Sequence, residues 1–545
     1  MRGLMMDRQL LISDIIEYAA ESYPKQEIVS RTTEGALHRY TYSELSDRSR
    51  QLAHALRKLG AAPGDRIATV AWNTYRHLEI YYATSGTGVI CHTINPRLPV
   101  DQFVYIVNHA KDEHVFVDLT FVPLLEKLEP QLEHVKGYVI MTDAEHMPKT
   151  SLSNVHCYEE LIKGLPTELV WPELDEFSAS SLCYTSGTTG NPKGVLYSHR
   201  STLLHALSVL ALPGIDIGED SALLPVVPMF HVNAWGVPYF GLMAGAKIVF
   251  PGPHLDGENL ADLMNGESVT DAWGVPTVWL GLLAHMRNTQ SHFRTLKQVL
   301  TGGSAAPKAM MAEFKDDFGV EALQGWGMTE MSPVGSVSLI RPQDKDLPEE
   351  AKLELKAKQG RPIFGVQMKI VDDNEQRLPH DGEAFGELLV RGHAITSGYY
   401  ENGKANANAF DQEGWFRTGD VATIDSEGYM EIVDRAKDVI KSGGEWISSI
   451  NLENEAVGHP EIAEAAVIAI PHPKWGERPL LIVVREPDSR IDGNDVNDYL
   501  STRIAKWWLP DDVVFVDELP HSATGKLQKT TLREQFKDYS PPRAN

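Results

Sequence analysis

One short segment, residues 184–194 (YTSGTTGNPKG), constrains this chain more than any other part of it. It follows a strand-like run at 180–184 and contains four Ser or Thr hydroxyls, three glycines and one lysine. Glycines allow a tight turn that presents backbone N–H groups, hydroxyls add donors, and the lysine adds a positive charge. The segment therefore suits a polyphosphate. An apolar run at 203–210 predicts a helix beyond it.

The spacing of this loop differs from that of a Walker A loop, which needs Gly, four residues and then Gly-Lys-Ser/Thr. Here Asn191 and Pro192 separate Gly190 from Lys193, which disfavours an ordinary P-loop NTPase. The alternative of a polar loop without a ligand is also disfavoured, because random loops rarely combine this many phosphate-binding features.

Length and composition predict a globular protein of two or more domains, with 545 residues, 42% apolar and 23% charged. The net charge of −25 argues against nucleic acid as the main partner. The three cysteines, Cys91, Cys157 and Cys183, fit neither a metal spacing nor a disulfide framework. A reducing cytoplasm is the simplest setting.

Two regions bear on membranes and targeting. Residues 1–8 have no apolar core or small-residue cleavage site, so we expect no signal peptide. The most hydrophobic region, 223–250, is interrupted by three prolines and is expected to be a buried wall. We therefore expect a cytoplasmic protein without stable membrane insertion.

Alternating helix and strand patterns predict a layered α/β architecture with largely parallel sheets. A capping box at 41–44 opens a helix that Gly60 ends, and 66–72 is a short apolar strand. The same order recurs at 101–109 with 114–118 and at 260–264 with 272–275.

The pattern changes beyond Arg361. Short strands at 366–371, 386–391 and 429–433 predict a small antiparallel or barrel-like β subdomain. Three strands and one helix between 465 and 516 predict a small α+β domain. The predicted divisions are an N-terminal domain at 1–433, a hinge at 434–437 and a C-terminal domain at 438–545.

Three further motifs suit a nucleotide. In residues 325–330 (GWGMTE) a tryptophan beside two glycines can stack on a base, and Glu330 suits Mg²⁺. The alternative is a core tryptophan with an exposed glutamate. A glycine turn at 301–305 (TGGSA) and the tripeptide 418–420 (TGD) are weak signals alone, because such turns are common.

Two basic segments lie near the C-terminus. The first segment is 434–447 (DRAKDVIKSGGEWI). A solvated turn would explain its charges at 434–438, but it would not explain Gly443, Gly444 and Trp446. Most C-terminal lysines are merely solvated. Lys526 ends a glycine-containing loop at 520–526 (PHSATGK).

In their order, these motifs resemble those of the adenylate-forming superfamily of acyl-CoA synthetases, luciferases and peptide-synthetase adenylation domains. The resemblance spans nearly the whole chain and is strongest to bacterial medium- and long-chain fatty acyl-CoA synthetases and 3-methylmercaptopropionate–CoA ligases. It implies an AMP-forming acid–CoA ligase that uses ATP, Mg²⁺ and CoA. It also implies a mobile C-terminal domain and a homodimer.

The resemblance implies a role for each matching residue. The implied ATP-binding residues are Thr185, Ser186, Gly187, Thr188, Thr189, Lys193, Gly302, Gly303, Gln324, Gly325, Trp326, Thr329, Asp420 and Arg435. Asp420 would accept hydrogen bonds from both ribose hydroxyls. Thr185 and Glu330 would hold the metal. The implied catalytic residues are Lys526, Lys437, Lys441 and Arg435, with Lys437 at the hinge, and the implied CoA residues are Gly443, Gly444 and Trp446.

The substrate acid should meet residues 228–235 (PMFHVNAW), an uncharged, aromatic-rich wall. An amino acid is disfavoured because its buried ammonium would lack a partner, and an apolar acid is favoured. The resemblance implies that Trp235 gates an acyl tunnel, with His231, Gly302 and Pro333 in the same pocket. Both a medium- or long-chain fatty acid and the short thioether acid 3-methylmercaptopropionate fit this polarity.

Two other functions are weighed against this one. An adenylating enzyme that passes its acyl group to a carrier protein is disfavoured, because we expect no carrier domain after Lys526. A nucleotide-binding sensor without chemistry is disfavoured by the joint presence of Glu330, Asp420, Lys437 and Lys526.

Overall fold

The computed structural model describes residues 1, 3–185, 191–435, 438–443, 445–521 and 527–539, without the side chains of Glu445 and Trp446. Within these ranges the strands form four sheets of nine, seven, five and four strands. Helices pack between and around the sheets, which gives the predicted layered α/β architecture.

The strands, in chain order, are β1 Glu27–Arg31, β2 Leu37–Thr41, β3 Arg66–Val70, β4 Ile90–Thr93, β5 His114–Val117, β6 Gly137–Ile140, β7 Val155–Cys157, β8 Ala179–Tyr184, β9 Gly194–Ser198, β10 Ala222–Pro225, β11 Lys247–Phe250, β12 Asp271–Gly274, β13 Gln298–Thr301, β14 Glu321–Gly327, β15 Val334–Val337, β16 Arg361–Pro362, β17 Val366–Val371, β18 Phe385–Gly392, β19 Phe416–Ile424, β20 Met430–Arg435, β21 Ile440–Ser442, β22 Glu445–Ile447, β23 Ile462–His472, β24 Gly476–Arg485 and β25 Asp512–Val516.

The α-helices, in chain order, are α1 Ile12–Ser22, α2 Tyr42–Lys58, α3 Tyr75–Thr87, α4 Val100–Ala110, α5 Val122–Leu128, α6 Tyr158–Ile162, α7 His199–Leu210, α8 Val237–Met243, α9 Gly257–Gly266, α10 Pro276–Thr289, α11 Lys308–Phe318, α12 Glu349–Ala357, α13 Gly403–Asn406, α14 Ser449–Val457, α15 Gly493–Ser501 and α16 Lys529–Gln535.

The two large sheets are mostly parallel, as predicted. The seven-stranded sheet has the order β7-β6-β5-β3-β4-β8-β9, and the nine-stranded sheet has the order β16-β15-β14-β13-β12-β10-β11-β1-β2. Gly274 and Thr301, the last residues of β12 and β13, are in register with each other and with Gln324 in the middle of β14. Because carboxyl ends of parallel strands meet at one edge, the turns that follow β13 and β14 lie together.

The predicted capping box is present at the start of α2. Thr41 accepts a hydrogen bond from the Glu44 backbone N–H, and the Glu44 side chain accepts one from the Thr41 backbone. Leu45, Leu52 and Leu56 are buried on one face of this helix. The capping box therefore starts the helix, and the apolar face packs it against the core.

The segment after the 184–194 loop differs in part from the prediction. The expected helix at 203–210 exists as α7, but β9 lies between it and the loop and pairs antiparallel with β8. The loop therefore closes a β-hairpin. Helix α7 begins at His199, after Ser198, so in the chain it follows β9 rather than the loop.

The predicted β subdomain is an antiparallel sheet in the order β17-β18-β19-β20. Strand β19 is missing from the sequence prediction, although it carries Thr418, Gly419 and Asp420. Its polar residues and central glycine interrupt the alternation of apolar and polar residues that indicates a strand. Pairing with β18 and β20 on either side stabilises it nevertheless.

The C-terminal residues form a separate α+β domain around a five-stranded sheet. Apolar clusters lie on both of its faces, one containing Leu452, Val467 and Leu481, the other containing Ile468, Leu480 and Leu532. The predicted strands and helix of this domain are confirmed as β23, β24, β25 and α15. The exact division at 434–437 stays a prediction, and Lys437 lies outside the described residues.

No helix in the described part of the chain is long and apolar enough to cross a membrane. The apolar region at 223–250 is predominantly buried, as expected for a wall, and contains β10, α8 and β11.

Lys529 ties the start of α16 to the interior of the C-terminal domain. Its Nζ lies 2.7 Å from Glu453 Oε1, and this oxygen also accepts from the Val467 N–H at 2.7 Å. Burial opposes the charge of Lys529, but the carboxylates of Glu453 and Asp434 raise its pKa above the ordinary value. The ammonium is thus a structural counter-ion, distinct from the predicted role of Lys526.

Replacing Lys529 by Met should destabilise the C-terminal domain by about 3–5 kcal/mol, because it leaves the buried Glu453 carboxylate without its cation. Urea unfolding, followed by hydrogen exchange in β23, measures the loss. The double variant Lys529→Met with Glu453→Gln should recover most of it. An unchanged unfolding midpoint in the single variant would contradict this assignment.

Candidate active site

A cavity of about 690 Å³ lies where the large sheets, the antiparallel sheet and the C-terminal domain meet. The predicted site residues that line it are Thr185, Lys193, His231, Trp235, Gly302, Gly303, Gly325, Trp326, Thr329, Glu330, Pro333 and Arg435. Six of the predicted segments therefore share one cavity, since Thr418 and Gly419 of the 418–420 tripeptide also line it. Its size suits a ligand of nucleotide dimensions.

The other predicted site residues are placed differently. Gln324, Asp420, Lys441 and Gly443 are described but do not line the cavity. Ser186, Gly187, Thr188, Thr189, Lys437, Gly444 and Lys526 lie outside the described residues, as does the Trp446 side chain.

The base of the 184–194 hairpin is closed by two hydrogen bonds. The Thr185 N–H donates to the Lys193 carbonyl at 2.9 Å, and the Lys193 N–H donates to Thr185 Oγ1 at 3.1 Å. Lys193 Nζ lies 4.7 Å from the centre of the Tyr399 ring. The hairpin thus presents a cation and a hydroxyl at the cavity wall.

Glu330 is a buried carboxylate at this wall. Its Oε1 accepts a hydrogen bond of 2.7 Å from the Tyr399 hydroxyl. Burial raises the pKa of Glu330 above its ordinary value, while the Tyr399 hydrogen bond and the charges of Lys193 and Arg435 act in the opposite direction. A carboxylate whose charge is incompletely compensated suits a cation. Sequence reasoning missed Tyr399, which no local pattern connects to Glu330.

The donor set around Glu330 fits Mg²⁺ bound together with phosphates. The described part of the chain holds no cluster of three or more His, Cys, Asp or Glu side chains that could bind a metal alone. Mg²⁺ commonly binds through one or two protein oxygens plus substrate phosphates and water. The Thr185 hydroxyl and the Glu330 carboxylate both face the cavity and could supply such oxygens.

Asp420 is buried between two partners. The Trp326 Nε1–H donates to Asp420 Oδ2 at 3.1 Å, and Arg435 Nε lies 3.0 Å from Asp420 Oδ1. Asp420 and Arg435 face each other across β19 and β20. The structure thus joins three residues that the sequence predicted separately, and it gives the Trp326 edge a role in orienting the carboxylate.

The glycine turn after β13 approaches its neighbours closely. A Cβ atom at Gly302 would lie 2.9 Å from the Gly325 carbonyl oxygen and 3.0 Å from Trp235 Cη2. Only glycine therefore fits between β14 and the Trp235 ring. A side-chain hydrogen bond from Gln324 stabilises the same turn, since its Oε1 accepts from the Ala306 N–H at 3.1 Å. Its predicted contact with ATP stays a prediction.

The wall at 228–235 ends in an unusual backbone conformation. Val232, Asn233, Ala234 and Trp235 have φ values of 45°, 52°, 49° and 56°, and Gly236 continues the run at 88°. A left-handed conformation costs roughly 1–2 kcal/mol for each non-glycine residue. Tertiary contacts must therefore stabilise this turn.

The surroundings of Trp235 are apolar. Val226, Phe230, Val275, Leu300 and Pro333 line the cavity with it. Behind the turn, burial lowers the pKa of His205 to about 3, so its neutral Nε2 accepts from the Val334 N–H at 3.0 Å. This end of the cavity matches an apolar group, as the sequence predicted.

The C-terminal domain contributes Asp438 and Leu527 to the cavity. The predicted CoA residue Gly443 instead contacts its own domain: its N–H donates to the Trp475 carbonyl at 2.7 Å, and a Cβ there would lie 2.8 Å from Trp475 Cε3. The Lys441 backbone N–H donates to Glu477 Oε2 at 2.8 Å. One face of the domain thus closes the cavity, while the Lys441–Gly443 region lies elsewhere.

Two arginines at the cavity were not predicted. Arg97 lies over the Trp72 ring, 5.6 Å from its centre, and Arg417 pairs with Glu387 at 2.6 Å. Both line the cavity. Arg97 lies outside the motifs and Arg417 directly precedes the 418–420 tripeptide, but no sequence pattern assigns a role to either.

Comparison with known proteins agrees with this geometry. A medium-chain-fatty-acid–CoA ligase from Ectopseudomonas oleovorans is 48% identical over 99% of this chain and 98% of its own length. A 3-methylmercaptopropionyl-CoA ligase from Ruegeria lacuscaerulensis is 50% identical over 99% of both chains. The crystal structure of the anthranilate CoA ligase AuaEII with anthranoyl-AMP has the same fold, with a TM-score of 0.87 at 24% identity, covering 98% of this chain and 99% of that one.

Family models match most of the chain. The model of the AMP-binding enzyme C-terminal domain matches residues 451–526, which agrees with a separate C-terminal domain. The model described as AMP-binding enzyme matches residues 16–400, which is well over half of the chain. The predicted membership is confirmed: this chain belongs to the family of AMP-binding, adenylate-forming enzymes.

Proposed function

We propose that this protein is an ATP-dependent acid–CoA ligase that forms an acyl-AMP and then an acyl-CoA, releasing pyrophosphate and AMP. One observation carries the proposal: a single cavity joins Lys193, Glu330 and Arg435 to the apolar wall that ends at Trp235. Charged residues suited to a polyphosphate and an apolar surface suited to an acid thus line the same cavity. The predicted reaction type is confirmed by the family and by relatives whose names are those of acid–CoA ligases.

The nucleotide would bind between the two glycine turns and the antiparallel sheet. Asp420 is held in place by Trp326 and Arg435, and a carboxylate can accept from two ribose hydroxyls at once. Lys193 would face the phosphates from the hairpin. When bound, Mg²⁺ at Thr185 and Glu330 would neutralise phosphate charge.

In the first step, the acid carboxylate attacks the α-phosphate and pyrophosphate leaves. The protein residues act by position and charge, and no protein nucleophile is needed. Lys526 would bridge carboxylate and α-phosphate. The position of Leu527 on the cavity wall supports this, because Leu527 follows Lys526 directly in the chain.

In the second step, the CoA thiolate attacks the acyl carbonyl carbon and AMP leaves. This would require the C-terminal domain to rotate and bring Gly443, Gly444 and Trp446 to the cavity, with Lys437 in the hinge. The glycines would let the pantetheine arm pass beside the backbone. Lys441 would add charge on the same face.

The acid is proposed to be a medium- or long-chain fatty acid. The apolar lining around Trp235 supports this choice. A short thioether acid such as 3-methylmercaptopropionate has the same polarity and is the alternative, since one relative is named for that acid. We further propose a cytoplasmic homodimer: light scattering of the purified protein tests the dimer, and cell fractionation tests the location.

Pyrophosphate release tests the function as a whole. A panel of short, medium and long fatty acids and 3-methylmercaptopropionate is supplied with ATP and Mg²⁺, with and without CoA. We expect acid-dependent release that becomes catalytic only with CoA. Release without any use of CoA would instead favour transfer to a carrier protein, and no release with any acid would contradict the proposal.

Replacing Lys526 by Ala should slow acyl-AMP formation by about 100-fold or more, because a charge that stabilises the transition state is lost. Thioester formation from supplied acyl-AMP should stay near the wild-type rate. The two half-reactions are measured separately. Lys537→Ala, an exposed lysine of the same domain, is the control. Equal loss in both half-reactions would contradict the role.

Replacing Asp420 by Ala should raise the KM for ATP about tenfold, since a hydrogen bond to a charged group contributes about 1.5–3 kcal/mol. The KM for the acid should change little. Asp373→Ala, in an exposed turn of the same sheet, serves as the control. Asp420→Asn preserves the shape if the alanine variant is unstable. An unchanged KM for ATP in both variants would exclude the ribose contact.

Replacing Trp235 by Ala should change acid selectivity more than the KM for ATP. The indole lies against Gly302, so its loss opens volume at the acid end of the cavity. Each methylene buried there contributes about 0.8 kcal/mol, so kcat/KM should shift towards longer acids. A lower melting temperature with unchanged ratios of kcat/KM would mean that Trp235 only supports the core.

A further inference from the structure

The left-handed turn at 232–236 places the residue that faces the acid. Four consecutive non-glycine residues in this conformation are rare, because L-residues normally adopt it singly. Trp235 is the last of the four, and its ring reaches Gly302. A change in the turn would therefore move the indole relative to the cavity.

Asn233 provides the side-chain contacts that hold the turn. Its side chain is buried and points away from the cavity, whose lining includes Val232 and Trp235 but not Asn233. Its Nδ2 donates to Ser181 Oγ at 3.0 Å. The Tyr81 hydroxyl lies 3.1 Å from Asn233 Oδ1 and 2.6 Å from the Met229 carbonyl oxygen, and shares its proton between them.

These contacts connect the turn to rigid parts of the N-terminal domain. Ser181 lies on β8, the strand that leads into the phosphate-binding hairpin, and Tyr81 lies on α3. Cys183, also on β8, lies with its Sγ 3.6 Å from Asn233 Oδ1. Asparagine also tolerates the left-handed conformation better than most residues. Both its backbone preference and its carboxamide therefore stabilise the observed turn.

We propose that Asn233 is a positioning residue that sets which acids the enzyme accepts, by fixing the turn that places Trp235 over Gly302. It acts without touching the substrate. The inference deepens the proposed function and rests on it for the substrate class. It adds a determinant of specificity that lies behind the pocket wall.

Three substitutions separate the contributions of Asn233. Asn233→Ala removes the carboxamide and the backbone preference. Asn233→Gly removes the carboxamide but favours the left-handed conformation. Ser181→Ala removes a single hydrogen bond. Asn265→Ala is the matched control, because Asn265 also bonds through both ends of its carboxamide, to the His292 carbonyl and the Arg294 N–H, outside the cavity lining.

The readouts are kcat/KM for short, medium and long acids, the KM for ATP, and hydrogen exchange at 232–236 in the full chain. We expect Asn233→Ala to change the ratio of kcat/KM between long and short acids by about fivefold or more, with exchange at the turn accelerated. The KM for ATP should stay near the wild-type value. In the Trp235→Ala background, Asn233→Ala should cause no further change in the ratio, because Trp235 transmits the effect.

An unchanged acid ratio in Asn233→Ala, with a clear change in Trp235→Ala, would overturn the inference. If Asn233→Ala does not fold, Asn233→Gly and Ser181→Ala decide. A changed ratio of kcat/KM between long and short acids in either variant supports the role, and an unchanged ratio in both rejects it. If the wild type uses no acid, the proposed function fails. Hydrogen exchange then decides on Asn233 alone: acceleration at 232–236 in the variants supports its positioning role, and unchanged exchange rejects it.

Discussion

The geometry of the site depends on one buried carboxylate. Asp420 pairs with Arg435 at 3.0 Å and accepts from Trp326 at 3.1 Å, so it joins β14 of the nine-stranded sheet to β19 and β20 of the antiparallel sheet. A buried carboxylate without partners is strongly destabilising. The pairing therefore fixes the antiparallel sheet against the large sheet, and with it one wall of the cavity. A ligand that hydrogen-bonds to Asp420 meets an oriented group.

Local charges in the cavity oppose the charge of the whole chain. The net charge is −25, which repels an anion at long range. At physiological ionic strength the field is screened within about 8 Å, so the charges that line the cavity dominate once a ligand enters. Lys193 and Arg435 lie on the same wall as the buried Glu330. This mixture suits a polyanion that arrives with a divalent cation better than it suits a bare anion.

Sequence patterns predicted the features of the fold that depend on contacts between residues close in the chain. The capping box of Thr41 and Glu44 acts within one turn, and the helix begins where it indicates. Twelve of the predicted site residues line the cavity. The motifs could not predict the bond between Trp326 and Asp420, which are 94 residues apart, or the left-handed turn before Gly236. Long-range partners stabilise both, and no local pattern reports them.

The contacts on either side of residues 436–437 bear on the proposed domain rotation. Arg435 is anchored to Asp420 on the N-terminal side, whereas Asp438 is paired with Arg533 inside the C-terminal domain. Arg435 also contacts the C-terminal side directly, because its carbonyl oxygen accepts from the Asp438 and Val439 N–H groups at 2.8 and 3.0 Å. Asp434 likewise contacts the C-terminal domain, since it accepts from the Ser449 N–H at 2.8 Å. The proposed rotation must break or carry this contact, so it sets part of the free-energy difference between the two arrangements.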